Sequence, residues 1–167
     1  AATIGIVFGY LWFSLLSENN IRIFLGLLAI IFSLNYFFFS KDSKMANVSV
    51  TKGSIWGTIS GFTSFGIHAG GLPFNIYMLP QKLDHRVYVG TAAIFFGLVN
   101  LIKLYPYYLL DQLRIENLTT ALFLLPFAPL GFYVGFKLTH KLDGDKFYGI
   151  TYFCLLIIGL KLLSDGI

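Results

Sequence analysis

Residues 57–81 read Gly57-Thr-Ile-Ser-Gly-Phe-Thr-Ser-Phe-Gly-Ile-His-Ala-Gly-Gly-Leu-Pro-Phe-Asn-Ile-Tyr-Met-Leu-Pro-Gln81. From Gly53 to Gln81 there is no Asp, Glu, Lys or Arg, and Lys52 and Lys82 stand at the edges. As one helix, residues 53–80 would run about 42 Å, too long for a simple crossing of a ~30 Å hydrocarbon core. Gly70-Gly71 and Pro73 break the run. Before the break, Gly53, Gly57 and Gly61 recur every four residues and form one face of small side chains. After it, residues 72–80 are too short to span and end in Pro80. The segment therefore either crosses as a broken helix or turns back as a re-entrant hairpin.

The rest of the chain sets the solvent. It is 56% hydrophobic and 12% charged, with a mean hydropathy of +0.74, whereas a soluble domain carries roughly 25% charged residues. The charges gather at 17–22, 41–52, 82–86, 111–116 and 137–146 and near the C-terminus. Between them lie five apolar segments of spanning length, 1–16, 21–40, 87–110, 117–138 and 146–164. The pattern predicts an all-α polytopic membrane protein of about five transmembrane helices plus one glycine-broken segment. A net charge of +4 then reports loop charge and gives no reason to invoke nucleic acid. Cys154 is the single cysteine, so an intrachain disulfide and a Cys-based metal site are excluded; it reads as a small buried hydrophobe. Nothing in the sequence calls for a cofactor or a resident metal.

Loop charge chooses between the two geometries. Take loop 41–52 as cytoplasmic. If 53–80 is re-entrant, Lys41, Lys44, Lys52, Lys82, Arg86, Lys137, Lys141 and Lys146 face the cytoplasm, and Arg22 and Arg114 face outward. If it crosses, Lys41, Lys44, Lys52 and Arg114 stay inside and six basic residues move out. The positive-inside rule favours the hairpin, with loops 41–52, 81–86 and 139–146 cytoplasmic.

The chain also repeats. Residues 3–36 align without gaps onto 129–162, matching Gly5 with Gly131, Gly9 with Gly135, Leu16 with Leu142, Ile31 with Ile157 and Leu34 with Leu160. The charge-derived topology gives the copies opposite orientation, as in inverted-repeat transporters. On this reading, 1–40 is the second half of a first repeat, 41–52 a cytoplasmic loop and 53–167 the second repeat. The first half of the first repeat, about 75 residues, is expected upstream of Ala1.

Candidate site residues cluster around the break. Thr63, Ser64, His68 and Asn75 bring hydroxyl, imidazole and amide groups, and Gly70-Gly71 allows an unwound turn. Pro73 suits the first turn of a new helix, whose positive end would meet an anion through free N–H groups. Lys103 and Asn100 lie in the next apolar segment; Lys103 either neutralises an anion or snorkels to the outer interface. Substrate binding is therefore expected at Thr63, Ser64, His68, Gly70, Gly71, Asn75, Asn100 and Lys103, with no catalytic and no metal-ligating residue. The alternatives are a cation or metal carrier using His68, Asn75 and Asn100, and a membrane hydrolase built on Ser64 and His68. The apolar part of 53–110 holds no carboxylate, which favours an anionic or neutral substrate. Pro126 and Pro129 are expected to kink 117–138, Asn117 to cap its start, and Phe37, Phe38 and Phe39 to anchor at the interface.

Gly57-x-x-x-Gly-Phe-x-Ser, His68-Ala-Gly-Gly-x-Pro, Tyr77-Met-Leu-Pro-Gln81 and Val89-Gly-Thr, with the aromatic-rich run through Asn100 and Lys103, together resemble the TauE/SafE sulfite exporter family. The closing Gly-Leu-Lys-Leu-Leu-Ser-Asp-Gly166 is similar to the family's last helix, and Leu72 stands where the family often has Gly or Pro. The resemblance implies a permease, not an enzyme, that moves small sulfur-containing anions (sulfite, sulfonate or a related organic anion) across the bacterial inner membrane by alternating access. The partners it implies are that small anion, the lipid bilayer and the missing N-terminal half of the same protein. A homodimer stays open.

Overall fold

The computed structural model describes residues 1–12, 17–40, 45–113 and 115–167, with backbone alone for Ser40, residues 115–118 and Thr139. Leu16, Lys41, Lys44 and Arg114, used above, lie outside the described residues. Among the described residues all regular structure is helical. In order come α1 (Ala2–Leu11), α2 (Glu18–Asn35, running on through a π turn, Tyr36–Ser40) and α3 (Val50–Ile67). Then follow α4 (Gly71–Met78, closed by a 3₁₀ turn, Leu79–Gln81), α5 (His85–Leu109), α6 (Ile115–Leu124), α7 (Phe127–Lys141) and α8 (Gly144–Gly166).

Short polar residues start three of these helices. Ser17 accepts from Asn20 N–H at 3.5 Å, Ser49 from Lys52 N–H at 3.4 Å and Asp84 from Arg86 N–H at 2.9 Å, each satisfying an orphan donor of the first turn. Ser49 places the start of α3 at Val50, three residues inside the stretch expected as loop. By length and composition, three helices among the described residues are able to cross a membrane: Glu18–Phe39, His85–Leu109 and Gly144–Gly166. Segment 117–138 is not one helix. It divides into α6 and α7 at Leu125-Pro126, where Leu125 and Ala128 N–H groups reach carbonyls three residues back, at 3.3 Å each. Pro126 has no N–H to continue the ladder. Asn117 falls inside the first turn of α6 and is not its cap, because the helix already begins at Ile115. Cys154 is exposed, on the outward side of α8 rather than in the core.

The break closes a hairpin. After α3 the chain turns and α4 runs back, so Tyr77 OH donates to Ser49 O at 3.1 Å and Ala46 N–H donates to Pro80 O at 2.9 Å. Residues 46 and 80 are thus side by side, and the chain leaves the hairpin at the end where it entered. The chain thus turns back at the break, as a re-entrant hairpin requires.

Two helix pairs carry the packing. Helix α1 lies against α3 so closely that a methyl added at Gly5 would overlap Thr58 O, and one at Gly61 would overlap Ala2 O. Only hydrogen at both positions permits this crossing. Helices α2 and α8 run antiparallel, with Gly26 against Gly159 and Leu163, Gly166 against Ile23, and Tyr36 stacked on Tyr152 at 3.6 Å between centroids. With its π turn, α2 covers 18–40 and α8 covers 144–166, the 126-residue offset of the sequence repeat. Helix α4 plugs the space beside this pair: Leu72, Phe74, Met78 and Leu79 pack with Leu25, Ala29, Tyr36, Tyr88, Tyr148, Tyr152 and Leu155. A second cluster joins Ile6, Phe65 and Val99. The outer faces stay apolar, with Ile94, Leu101 and Phe132 exposed. In lipid those faces gain little by burial, so close approach and hydrogen bonding have to hold the helices together.

Candidate functional site

The last four carbonyls of a helix lack partners within it. In α3 these belong to Ser64, Phe65, Gly66 and Ile67. His68 ends the helix in the left-handed region, at φ 56°, and Ala69 N–H reaches back six residues to Thr63 O at 3.2 Å, one residue further than a Schellman closure. No glycine in the described chain has a positive φ, so the unwound turn rests on His68 and not on Gly70-Gly71. Gly70 serves a different need. A methyl there would sit 2.6 Å from Ser64 Cβ and 2.7 Å from Ser60 O. The turn is pressed onto α3, and Ser60 Oγ, fully buried, donates to Gly70 O at 2.7 Å to hold it there. Thr63 Oγ1 donates to Ile59 O at 2.9 Å and also faces Ala69 O at 3.5 Å.

Helix α5 supplies the caps that α3 lacks. Lys103 Nζ donates to Ser64 O and to Ser64 Oγ, both at 3.0 Å. Tyr107 OH donates to Phe65 O at 2.9 Å. Lys103 and Tyr107 are four residues apart and share one face of α5, and the ammonium lies 5.7 Å from the Tyr107 ring. Lys103 is only 3% exposed, so its side chain does not snorkel to the outer interface. The ion pairs among the described residues leave it without a carboxylate within 4.0 Å. A cation at a helix C-terminus is favoured by the dipole.

The break therefore brings together Ser60, Thr63, Ser64, His68, Gly70, Lys103 and Tyr107. His68 is exposed beside it, its ring 6.0 Å from that of Tyr107. Helix α4 starts at Gly71, two residues before Pro73. At that start Leu72 N–H bonds Ala69 O and Phe74 N–H bonds Gly70 O, while Pro73 has none. The donors that an anion can meet narrow to the amides of Gly70 and Gly71. Asn75 lies apart from this group. Its Oδ1 accepts from Tyr88 OH, which sits about 22 Å of helix before Lys103. Asn100, one turn before Lys103, is exposed and does not join the cluster. Ser64 Oγ takes its hydrogen bond from Lys103 and not from His68, so no nucleophile–base pair forms there. Among the described residues, no three His, Cys, Asp or Glu side chains are grouped to hold a metal ion.

Sequence reasoning left Ser60 and Tyr107 out of the expected site. Each lies one helical turn from a residue it did single out, Ser64 and Lys103, and that spacing was the available signal.

The sulfite exporter TauE/SafE family model matches residues 1–162. The chain belongs to the TauE/SafE family. It is accordingly a membrane permease chain of a transport family, and its apolar helices fit that assignment. No curated protein and no solved structure matches this TauE/SafE chain.

Proposed function

We propose that the protein exports small anions, sulfur-containing ones such as sulfite or an organic sulfonate, across the bacterial inner membrane by alternating access. The observation that carries this reading is the α3–α4 break. It joins the Gly70 and Gly71 amides, the Thr63 and Ser64 hydroxyls and a buried lysine with no carboxylate partner among the described residues, in a chain of the TauE/SafE family. Irregular backbone at membrane depth is tolerated where it lines protein or a watery cavity, and in carriers such breaks hold the substrate. The same-end return of residues 46 and 80 supports a re-entrant segment between cytoplasmic loops 41–52 and 81–86. The 126-residue offset of the antiparallel α2 and α8 supports an inverted repeat.

The test is flux. Full-length protein in liposomes is offered sulfite, taurine-like sulfonates, phosphate and chloride. Saturable movement of a sulfur oxyanion or sulfonate, competed by sulfite, is the expected result. If no small anion moves faster than through empty liposomes, the reading is wrong. The carrier of a metal cation is the second reading, resting on His68 at the exposed edge of the break. Flux of a divalent cation that Ala at His68 removes would favour it.

A further inference from the structure

The C-terminal end of a broken half-helix is where carriers of this general build seat a coupling cation, on carbonyls that the helix leaves unpaired. Here the place is filled from within the protein. Lys103 reaches from α5 and sets its ammonium on Ser64 O and Ser64 Oγ, 3.0 Å from each, with 3% of the residue exposed. Tyr107, one turn on, takes the next carbonyl, that of Phe65. The pair of oxygens from one serine is also the kind of ligand a sodium ion accepts. We propose that Lys103 is a tethered counter-cation that stands in for a sodium ion at the break, so that transport needs no sodium.

Three features argue for this over a plain packing role. An aliphatic side chain at position 103 would satisfy the apolar surroundings of Val99 and Pro106 without the cost of a buried charge. No carboxylate among the described residues repays that cost, and the α3 dipole and the two Ser64 oxygens do so in its place. The contact also ties α5 to the hinge itself, next to the turn at His68 that any rocking of α4 against α3 must bend. Lys103 is thus a positioning residue: it acts on the anion through the geometry and field of the break.

The proposal rests on the permease reading above, and one experiment separates the two. Sulfite efflux from liposomes carrying the full-length protein is measured in sodium chloride and in choline chloride. The wild-type rate should be the same in both. Lys103→Ala should be slow in choline and stimulated at least about fivefold by sodium, which can occupy the vacated Ser64 oxygens. Lys103→Arg keeps a tethered cation and should stay sodium-independent, and it serves where the alanine variant does not fold. A wild-type rate that requires sodium overturns the proposal and leaves the permease reading intact, as does a Lys103→Ala rate equal in the two media. No sulfite efflux by the wild type in either medium overturns both.

Discussion

Residues at the break divide the work differently from their chemistry on paper. Glycine is the default for a positive φ, so a sequence reading gives the turn to Gly70-Gly71. The fold instead bends at His68 and uses Gly70 for close approach. That exchange is not legible in sequence, because it depends on how tightly the turn seats on Ser60 and Ser64. Gly70→Ala should therefore destabilise the protein by about 1–3 kcal/mol, the range for forcing atoms into a packed site. Gly71→Ala, where added atoms meet open space, should cost far less. Thermal unfolding in detergent checks the pair, and equal Tm values would contradict the geometry. Ser60→Ala removes the shorter of the two hydrogen bonds to the Gly70 carbonyl, which keeps the Phe74 N–H, and should cost about 0.5–1.5 kcal/mol. Lys103 was legible as a site candidate, but its role was not. Its partner Ser64 is 39 positions away in the chain, beyond any local pattern.

Elements were legible where apolar length or glycine spacing fixed them. The long runs gave α2, α5 and α8, and the Gly-x-x-x-Gly spacing in α1 and α3 marked the faces that meet. Gly61→Ala should lower Tm by pushing α1 off α3, with a cost of about 1–3 kcal/mol, whereas Gly97→Ala, with nothing near it, should leave Tm unchanged or slightly raised. Boundaries were less legible. Proline at 126 could kink or end a helix, and only the hydrogen bonds around Leu125 show that it separates α6 from α7. The start of α5 carries a pH signature. The Arg86 N–H bonded to Asp84 holds that carboxyl below the usual carboxylate range, with the nearby charge of His85 as a smaller cause. A depressed pKa means stability that is present above the ordinary carboxylate range and lost as pH falls through the lowered value. The Tm difference between wild type and Asp84→Ala should accordingly be full at neutral pH and shrink in acid. A difference that grows in acid would contradict the cap.

At the scale of the whole molecule, the path of the chain through residues 53–80 decides the fold. Hydropathy alone left residues 53–80 free to cross or to return. Loop charge argued for return, and the Pro80–Ala46 bond closes it. Everything assigned to the break depends on that return, since it buries an unwound turn inside the protein with both ends on one side. Cysteine accessibility in intact cells tests it most directly. In a Cys154→Ser background, single cysteines at Asn47 and Lys82 report the two ends of the hairpin, and cysteines at Asn19 and Asp111 report the opposite loops. A membrane-impermeant maleimide should reach Asn47→Cys and Lys82→Cys only after the inner face is opened, and should reach Asn19→Cys and Asp111→Cys from outside. Labelling of positions 47 and 82 from opposite faces would contradict the hairpin and the site built on it.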